Sequence, residues 1–212
     1  FGRGGHSRAL LSRLGAQARL YAFDKDPEAI AEGRRLMAED ARFTIIHRSF
    51  ADLAQVLTAE GLLGSVDGIM ADLGVSSPQL DDAGRGFSFM NDGPLDMRMN
   101  PSVGLNAAQW LMATPENELA DVLFRYGEER FSRRIAKAIK KELGTAPIMS
   151  TRHLAEIVAA AHPSWERHKH PATRSFQAIR IAVNQELEDI ERFLPQALDA
   201  LKAGGKQIGR AS

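Results

Sequence analysis

The chain has 212 residues, 27 Lys/Arg against 27 Asp/Glu, 44% hydrophobic residues and no cysteine. That length can bury a substantial core as one domain, or as one domain carrying an insertion, and the lack of cysteine excludes disulfides and thiolate metal sites. No apolar run approaches the roughly 20 residues of a membrane-spanning helix, the opening Phe1-Gly2-Arg3-Gly4-Gly5 does not read as a secretory signal, and a cytoplasmic protein is expected.

The chain opens on a glycine-rich turn, Gly2-Arg3-Gly4-Gly5-His6, followed by Ser7 as the expected N-cap of a helix that carries Leu10, Leu11 and Leu14 and stops at Gly15. Glycines there let a ligand approach the backbone closely, and free amides at a helix start favour an anionic group. A lone G-x-G-G is most often an ordinary turn. Its context raises its value: residues 19–23 read as a short strand ending in Asp24, nineteen residues after Gly5. The spacing is close to the roughly 20 that separates a glycine loop from a ribose-binding acid. Because Asp26-Pro27 supplies the cap and first position of a helix over 27–37, Asp24 is expected to be free for a ligand. A strand over 43–47 leads to Phe50, which either stacks on a bound base or plugs the core under the helix bearing Leu53, Val56 and Leu57.

Residues 66–73 form the next expected strand, a buried parallel one that delivers Asp72 to its C-terminal edge, where open α/β sheets bind ligands. Ser76, Ser77 and Gln79 follow on a loop stiffened by Pro78, and this stretch is taken as the reaction centre. Four βα steps in about seventy residues predict an α/β fold with a parallel, helix-covered, doubly wound sheet. Residues 83–104 lack a period and are expected to form a lid or substrate wall, or a loop packed by its own side chains. Helical periodicity returns over 106–112, over 115–124 behind a Thr114 cap, over 128–143 and over 151–161.

Between Arg125 and Arg180 there are twelve Lys/Arg against five Asp/Glu. A local surplus of about seven cations in a neutral chain is the footprint of a polyanion, with Arg130 and Arg134 on the most basic helix. The segment from His168 and Lys169 through His170 and Arg174 favours phosphate over metal, since no carboxylates or thiolates stand close. It leads into a helix through Ile179, Leu187 and Ile190, on which Arg180 and Asn184 share a face directed back to the crevice. Residues 186–191 read as a solvated acidic stretch, and 207–212 do not read as a strand.

Taken together, Phe1-Gly2-Arg3-Gly4-Gly5-His6-Ser7, the stretch 72–82, Gly86-Phe87-Ser88-Phe89-Met90, Gly93-Pro94-Leu95-Asp96-Met97-Arg98-Met99, Tyr126-Gly127-Glu128-Glu129-Arg130 and the stretch 170–186 resemble a bacterial family. It is the small-subunit ribosomal RNA methyltransferase family (RsmH, also called MraW) that modifies N4 of a cytidine. The resemblance covers nearly the whole chain. It implies a class I, Rossmann-like methyltransferase domain over 1–84 and 178–212, using S-adenosylmethionine, with an inserted helical substrate-recognition domain over 85–177. It assigns Gly4, Gly5, His6, Asp24, Phe50, Asp72 and Gln79 to the cofactor. From the residues themselves, Asp72, the backbone carbonyls of residues 73–76 and the Ser76 or Ser77 hydroxyls are the acceptors at hand for the target amine, and Arg130, Arg134, His170, Arg174, Arg180 and Asn184 are the candidates for facing RNA.

The implied partner is 16S rRNA in the small (30S) ribosomal subunit, with no metal and no membrane, and the target cytidine must be single-stranded or swung out of its stack. The family has a strand before the glycine loop and continues past Gly204-Gly205, so a partial chain whose sheet lacks a central member is expected. Three rivals remain at this level: an amino-methyltransferase acting on DNA or another RNA, an NAD-type oxidoreductase, and a non-enzymatic RNA-binding assembly factor.

Overall fold

The computed structural model describes residues 1–163 and 170–211, and divides into two compact units, residues 1–74 with 187–212 and residues 75–186. Residues 75–84 and 178–186, assigned from sequence to the sheet domain, therefore lie in the second, mainly helical unit. The expected His168 and Lys169 lie outside the described residues.

The first unit begins with α1 (Gly5–Leu11), β1 (Leu20–Asp24), α2 (Pro27–Glu39) and β2 (Phe43–His47). Helix α1 starts earlier than Ser7 predicts: Gly4, in the left-handed region, is the N-cap, and Ser7 is buried inside the helix. Helix α2 starts as expected, with the Asp26 side chain accepting the Glu28 N–H and Pro27 at the first position. Strand β1 pairs with β2 in parallel, from Leu20 opposite Phe43 to Asp24 opposite His47. A Cβ on Gly33 would come within 2.5 Å of the Ile45 side chain, so glycine is what lets α2 lie this close to β2.

Alternation along β1 sorts its side chains between two cores. Leu20 and Ala22 pack with Leu11, Leu36 and Phe43, whereas Phe23 joins the opposite cluster of Leu53, Leu57, Phe193 and Ala197. That second cluster is built by α3 (Leu53–Ala59) and α10 (Glu186–Ala200) and also receives Ile69 and Ala71 of β3 (Val66–Leu73). β3 is half-buried and not the fully buried strand expected, because this cluster covers one face and leaves Met70 exposed on the other. Its parallel partner is β4 (Leu201–Ala211), with Gly68 opposite Lys206 and Leu73 opposite Ala211. The expectation that 207–212 form no strand is thus corrected over 207–211. The glycine-rich, polar composition is poor for a strand, but ladder pairing with β3 overrides local propensity. Among the described residues the parallel strands form two ladders, β1–β2 and β3–β4.

Arg42 ties β2 to α1. Its guanidinium donates to the Leu11 and Leu14 carbonyls at 3.0 and 2.8 Å and to both oxygens of Asp40. Hydrogen bonds from the Arg42 side chain and then its backbone N–H pull the Asp40 carboxyl down to about 2. A folded-state value below the ordinary ~3.9 means that the contact is fully present above about pH 4 and is lost as pH falls through 2. In Arg42→Gln, carbon-detected NMR should find Asp40 titrating near the ordinary carboxylate value. An unchanged value near 2 would show that Arg42 is not the cause.

The second unit holds α4 (Ser77–Asp81) and, around one apolar cluster, α5 (Ala107–Ala113), α6 (Glu116–Gly127), α7 (Ser132–Leu143), α8 (Thr151–Ala161) and α9 (Ala172–Asn184). α5 opens on a capping box of Asn106 and Gln109. The expected Thr114 cap of α6 is corrected: its hydroxyl donates to the Trp110 carbonyl and closes α5, and Pro115 is the α6 N-cap. α7 begins after residue 128 because Glu128 sits in the left-handed region at φ 54°. Gln185, at φ 53°, likewise divides the single helix expected through residue 190 into α9 and α10. Within residues 83–104, Phe87, Leu95 and Met97 are buried in the helical core, whereas Met90 and Val103 are exposed. The Arg85 guanidinium donates to the Arg98 and Met99 carbonyls.

Candidate functional site

Two left-handed glycines, Gly2 and Gly4, fold the opening turn so that Gly4 N–H donates to the Phe1 carbonyl at 3.0 Å. A Cβ on Gly4 would strike the Phe1 ring at 2.7 Å, whereas the position a Gly5 Cβ would take opens on empty space. Beside this turn stands Asp24, the last residue of β1. It is not the free carboxylate expected: Oδ2 accepts Gly2 N–H at 3.0 Å, and Oδ1 accepts Asp26 N–H at 2.9 Å. The Gly2 and Asp26 N–H groups lie outside the helix and strand ladders and need an acceptor, which Asp24 supplies.

His6, in the first turn of α1, lies with Nε2 3.5 Å from Asp72 Oδ2 near the end of β3. Both side chains are about half exposed, at 57% and 43%. The glycine turn and the strand-end acid, far apart in sequence, are therefore one constellation. Phe50 takes the core reading: its ring stands edge-on to Phe193 of α10 at 5.2 Å, within the α3–α10 cluster.

An acid that sequence reading missed organises the loops after β1 and β2. Asp189 of α10, only 6% exposed, pairs with Lys25 and accepts the Ser49 hydroxyl at 2.8 Å. The expected solvated acidic stretch is corrected here, and Glu186, on the other side of the unit boundary, forms a two-pronged pair with Arg180 at 2.9 and 3.2 Å. The signal available was helical spacing, which puts Asp189, Phe193 and Ala197 on one buried stripe.

In the second unit, Ser76 and Ser77 do not lie on an open loop. Ser76 caps α4, and its N–H donates to Gln79 Oε1 at 2.9 Å, with Gln79 itself buried. Asn184 is likewise built in: Oδ1 accepts Met99 N–H at 2.7 Å, and Nδ2 donates to the Met97 and Arg180 carbonyls at 2.7 and 2.9 Å. Its carboxamide holds the 97–99 segment, where Met97 is left-handed at φ 61°. The His170 ring lies 4.6 Å from that of Phe89, and its Nδ1 accepts Ala172 N–H. Arg174 is half-buried on α9. Arg130 and Arg134 are exposed and lie together with Arg133 at the start of α7.

The model of one family, the MraW methylase family, matches residues 1–208. The chain belongs to the MraW methylase family. Among its relatives, the "Ribosomal RNA small subunit methyltransferase H" of Acinetobacter baumannii is 63% identical over 206 residues, covering 97% of this chain and 66% of that protein. The protein of the same name from Acinetobacter baylyi is 61% identical over 206 residues, covering 97% of this chain and 67% of its own length. The chain thus spans about two thirds of the length of the curated relatives it matches.

For this MraW-family chain the parallel strands and covering helices of the first unit are the Rossmann-like methyltransferase architecture expected. Four of the expected residues, Gly4, Gly5, His6 and Asp24, meet around the first turn, and Asp72 joins them through His6. Among the described residues no three His, Asp or Glu side chains are arranged to hold a metal ion, and no helix is long and apolar enough to cross a membrane.

Proposed function

We propose that this chain belongs to an S-adenosylmethionine-dependent enzyme that methylates the N4 amino group of a cytidine in 16S rRNA of the small ribosomal subunit, in the cytoplasm. The observation that carries the reading is the His6–Asp72 constellation beside the glycine turn, in a chain 61–63% identical to proteins named for small-subunit rRNA methylation. The donor set fits the cofactor: open space faces Gly5, and the Asp24 carboxylate, with about four acceptor sites in all, keeps capacity beyond the Gly2 and Asp26 N–H donors for ribose hydroxyls. S-adenosylmethionine, when bound, supplies an electrophilic methyl group.

The chain's own residues deal with the amine. An exocyclic amine conjugated to a pyrimidine is a poor nucleophile, so an acceptor aligned on its N–H raises electron density at nitrogen and takes up the developing positive charge. Asp72 is that acceptor, and His6 beside it orients the carboxylate.

The test is methyl transfer to small subunits from cells that lack the modification, followed by nucleoside analysis, with the parent chain and with Asp72→Ala. N4-methylcytidine should form with the parent, and the variant should be slower by about a hundredfold or more. Assembled subunits should be methylated in preference to naked rRNA. A parent that modifies DNA, or a different nucleoside, would overturn the substrate, and an unimpaired Asp72→Ala would overturn the role of the acid.

A further inference from the structure

In the second unit a concave hollow of about 390 Å³ opens between α6 and the start of α7, lined by Asp121, Phe124, Arg130, Phe131, Arg133 and Arg134. The volume falls within the roughly 300–1,000 Å³ of small-ligand sites. Three guanidiniums face one carboxylate there, and among the described residues Arg130, Arg133 and Arg134 have no ion-pair partner. Phe124 leaves 60% of its surface in solvent beside them, so its ring is open to a ligand.

Phe131, by contrast, is held from beneath. Its N–H donates to Glu129 Oε1 at 2.9 Å, and its ring stands edge-on to His162 at 4.8 Å. Glu129 is fully buried, with Oε1 3.6 Å from His162 Nε2 and Oε2 without a partner. A buried carboxylate with an orphan oxygen costs free energy. Its effect here is to fix both the backbone and the ring of Phe131.

We infer that this hollow binds one unstacked nucleotide of single-stranded RNA, its base against Phe124 and Phe131 and its flanking phosphates on Arg130, Arg133 and Arg134. Phenyl faces and guanidinium forks in one concavity match the two chemistries of a nucleotide, stacking and phosphate pairing. Asp121 accepts a hydrogen bond from a base amine and disfavours a bare phosphate. An acidic protein segment would use the cations and leave the two rings without a function. The inference rests on the reading of the chain as an rRNA methyltransferase and adds where the RNA is gripped.

The test is fluorescence anisotropy of a short labelled oligocytidylate against the parent chain, Phe124→Ala and the double variant Arg133→Gln/Arg134→Gln, all changed at exposed positions and checked for folding by thermal melting. An oligoglutamate peptide is titrated in parallel. Phe124→Ala should weaken oligocytidylate about tenfold at unchanged salt slope, and the double variant should flatten the slope by about one to two units. Photocrosslinks from a thiouridine-substituted oligonucleotide should fall on α6 and α7.

Crosslinks elsewhere, an unaffected Phe124→Ala, or oligoglutamate bound as tightly as RNA would each overturn the inference, the last assigning the hollow to an acidic protein. S-adenosylmethionine titrated into the same parent sample separates this inference from the function it rests on. Cofactor binding without oligonucleotide binding overturns the hollow and leaves the methyltransferase reading intact. Phe124-dependent oligonucleotide binding without cofactor binding upholds the hollow and removes that reading.

Discussion

Asp24→Ala is expected to weaken S-adenosylmethionine binding by about a hundredfold, read by calorimetric titration. The substitution acts twice. It removes the acceptor proposed for the ribose hydroxyls, and it releases Gly2 N–H and Asp26 N–H, which the carboxylate now holds at 3.0 and 2.9 Å. Hydrogen bonds to a charged partner contribute about 1.5–3 kcal/mol each, and a hundredfold in affinity corresponds to about 2.7 kcal/mol, so loss of the ribose contacts alone reaches the expected effect. Asp24→Asn keeps one acceptor oxygen without the charge and should fall between parent and alanine variant. Hydrogen exchange at Gly2 should accelerate in Asp24→Ala whether or not cofactor is present, since the turn loses its tie to β1. Parent-like affinity in the alanine variant would remove Asp24 from the cofactor site and leave it as a structural latch.

Asn184→Ala should destabilise the helical unit by about 3 kcal/mol in urea unfolding. Sequence reading placed Asn184 on a face toward RNA, but at 8% exposure its carboxamide satisfies Met99 N–H and the Met97 and Arg180 carbonyls. Alanine leaves these backbone groups without that partner, and each buried orphan costs about 1–3 kcal/mol. Asn184→Asp keeps the acceptor for Met99 but turns a carboxylate oxygen on two carbonyls, so it should be destabilised as well. Under the RNA-facing role both variants would weaken RNA binding at parent-like stability. Under the structural role, binding per folded molecule stays unchanged. Stability within about 0.5 kcal/mol of the parent, the range of ordinary surface substitutions, would restore the RNA-facing role.

The alternation of strands and helices was legible because it is written in short-range signals. Asp26-Pro27 starts α2, the strand over 43–47 lies where its β-branched run puts it, and Asn106 with Gln109 opens α5. Helix boundaries were misread where backbone conformation depends on more than a residue's type. Glu128 and Gln185 adopt the left-handed region that a helical pattern does not announce, and the Ser76–Gln79 capping box was hidden by a stretch read as loop. The irregular stretch around Met97 offered two readings, and its burial in the helical core favours packing by its own side chains.

In the candidate site, residue types were visible and their engagements were not. Gly4, Gly5 and Asp24 stood out by spacing, and Asp72 by its place at a strand end. By itself, the sequence determined the α/β pattern, the helical insertion, the family and the identity of the acids and glycines, because each depends on periodicity, caps or motifs within a few residues. Tertiary structure alone decided that His6 meets Asp72, that Asp24 latches the glycine turn, that Asp189 holds Ser49 across 140 residues, and that residues 207–211 become a strand against β3. Those outcomes depend on which distant backbone or side-chain group is brought within hydrogen-bonding reach, and a carboxylate's residue type does not say which donor will reach it.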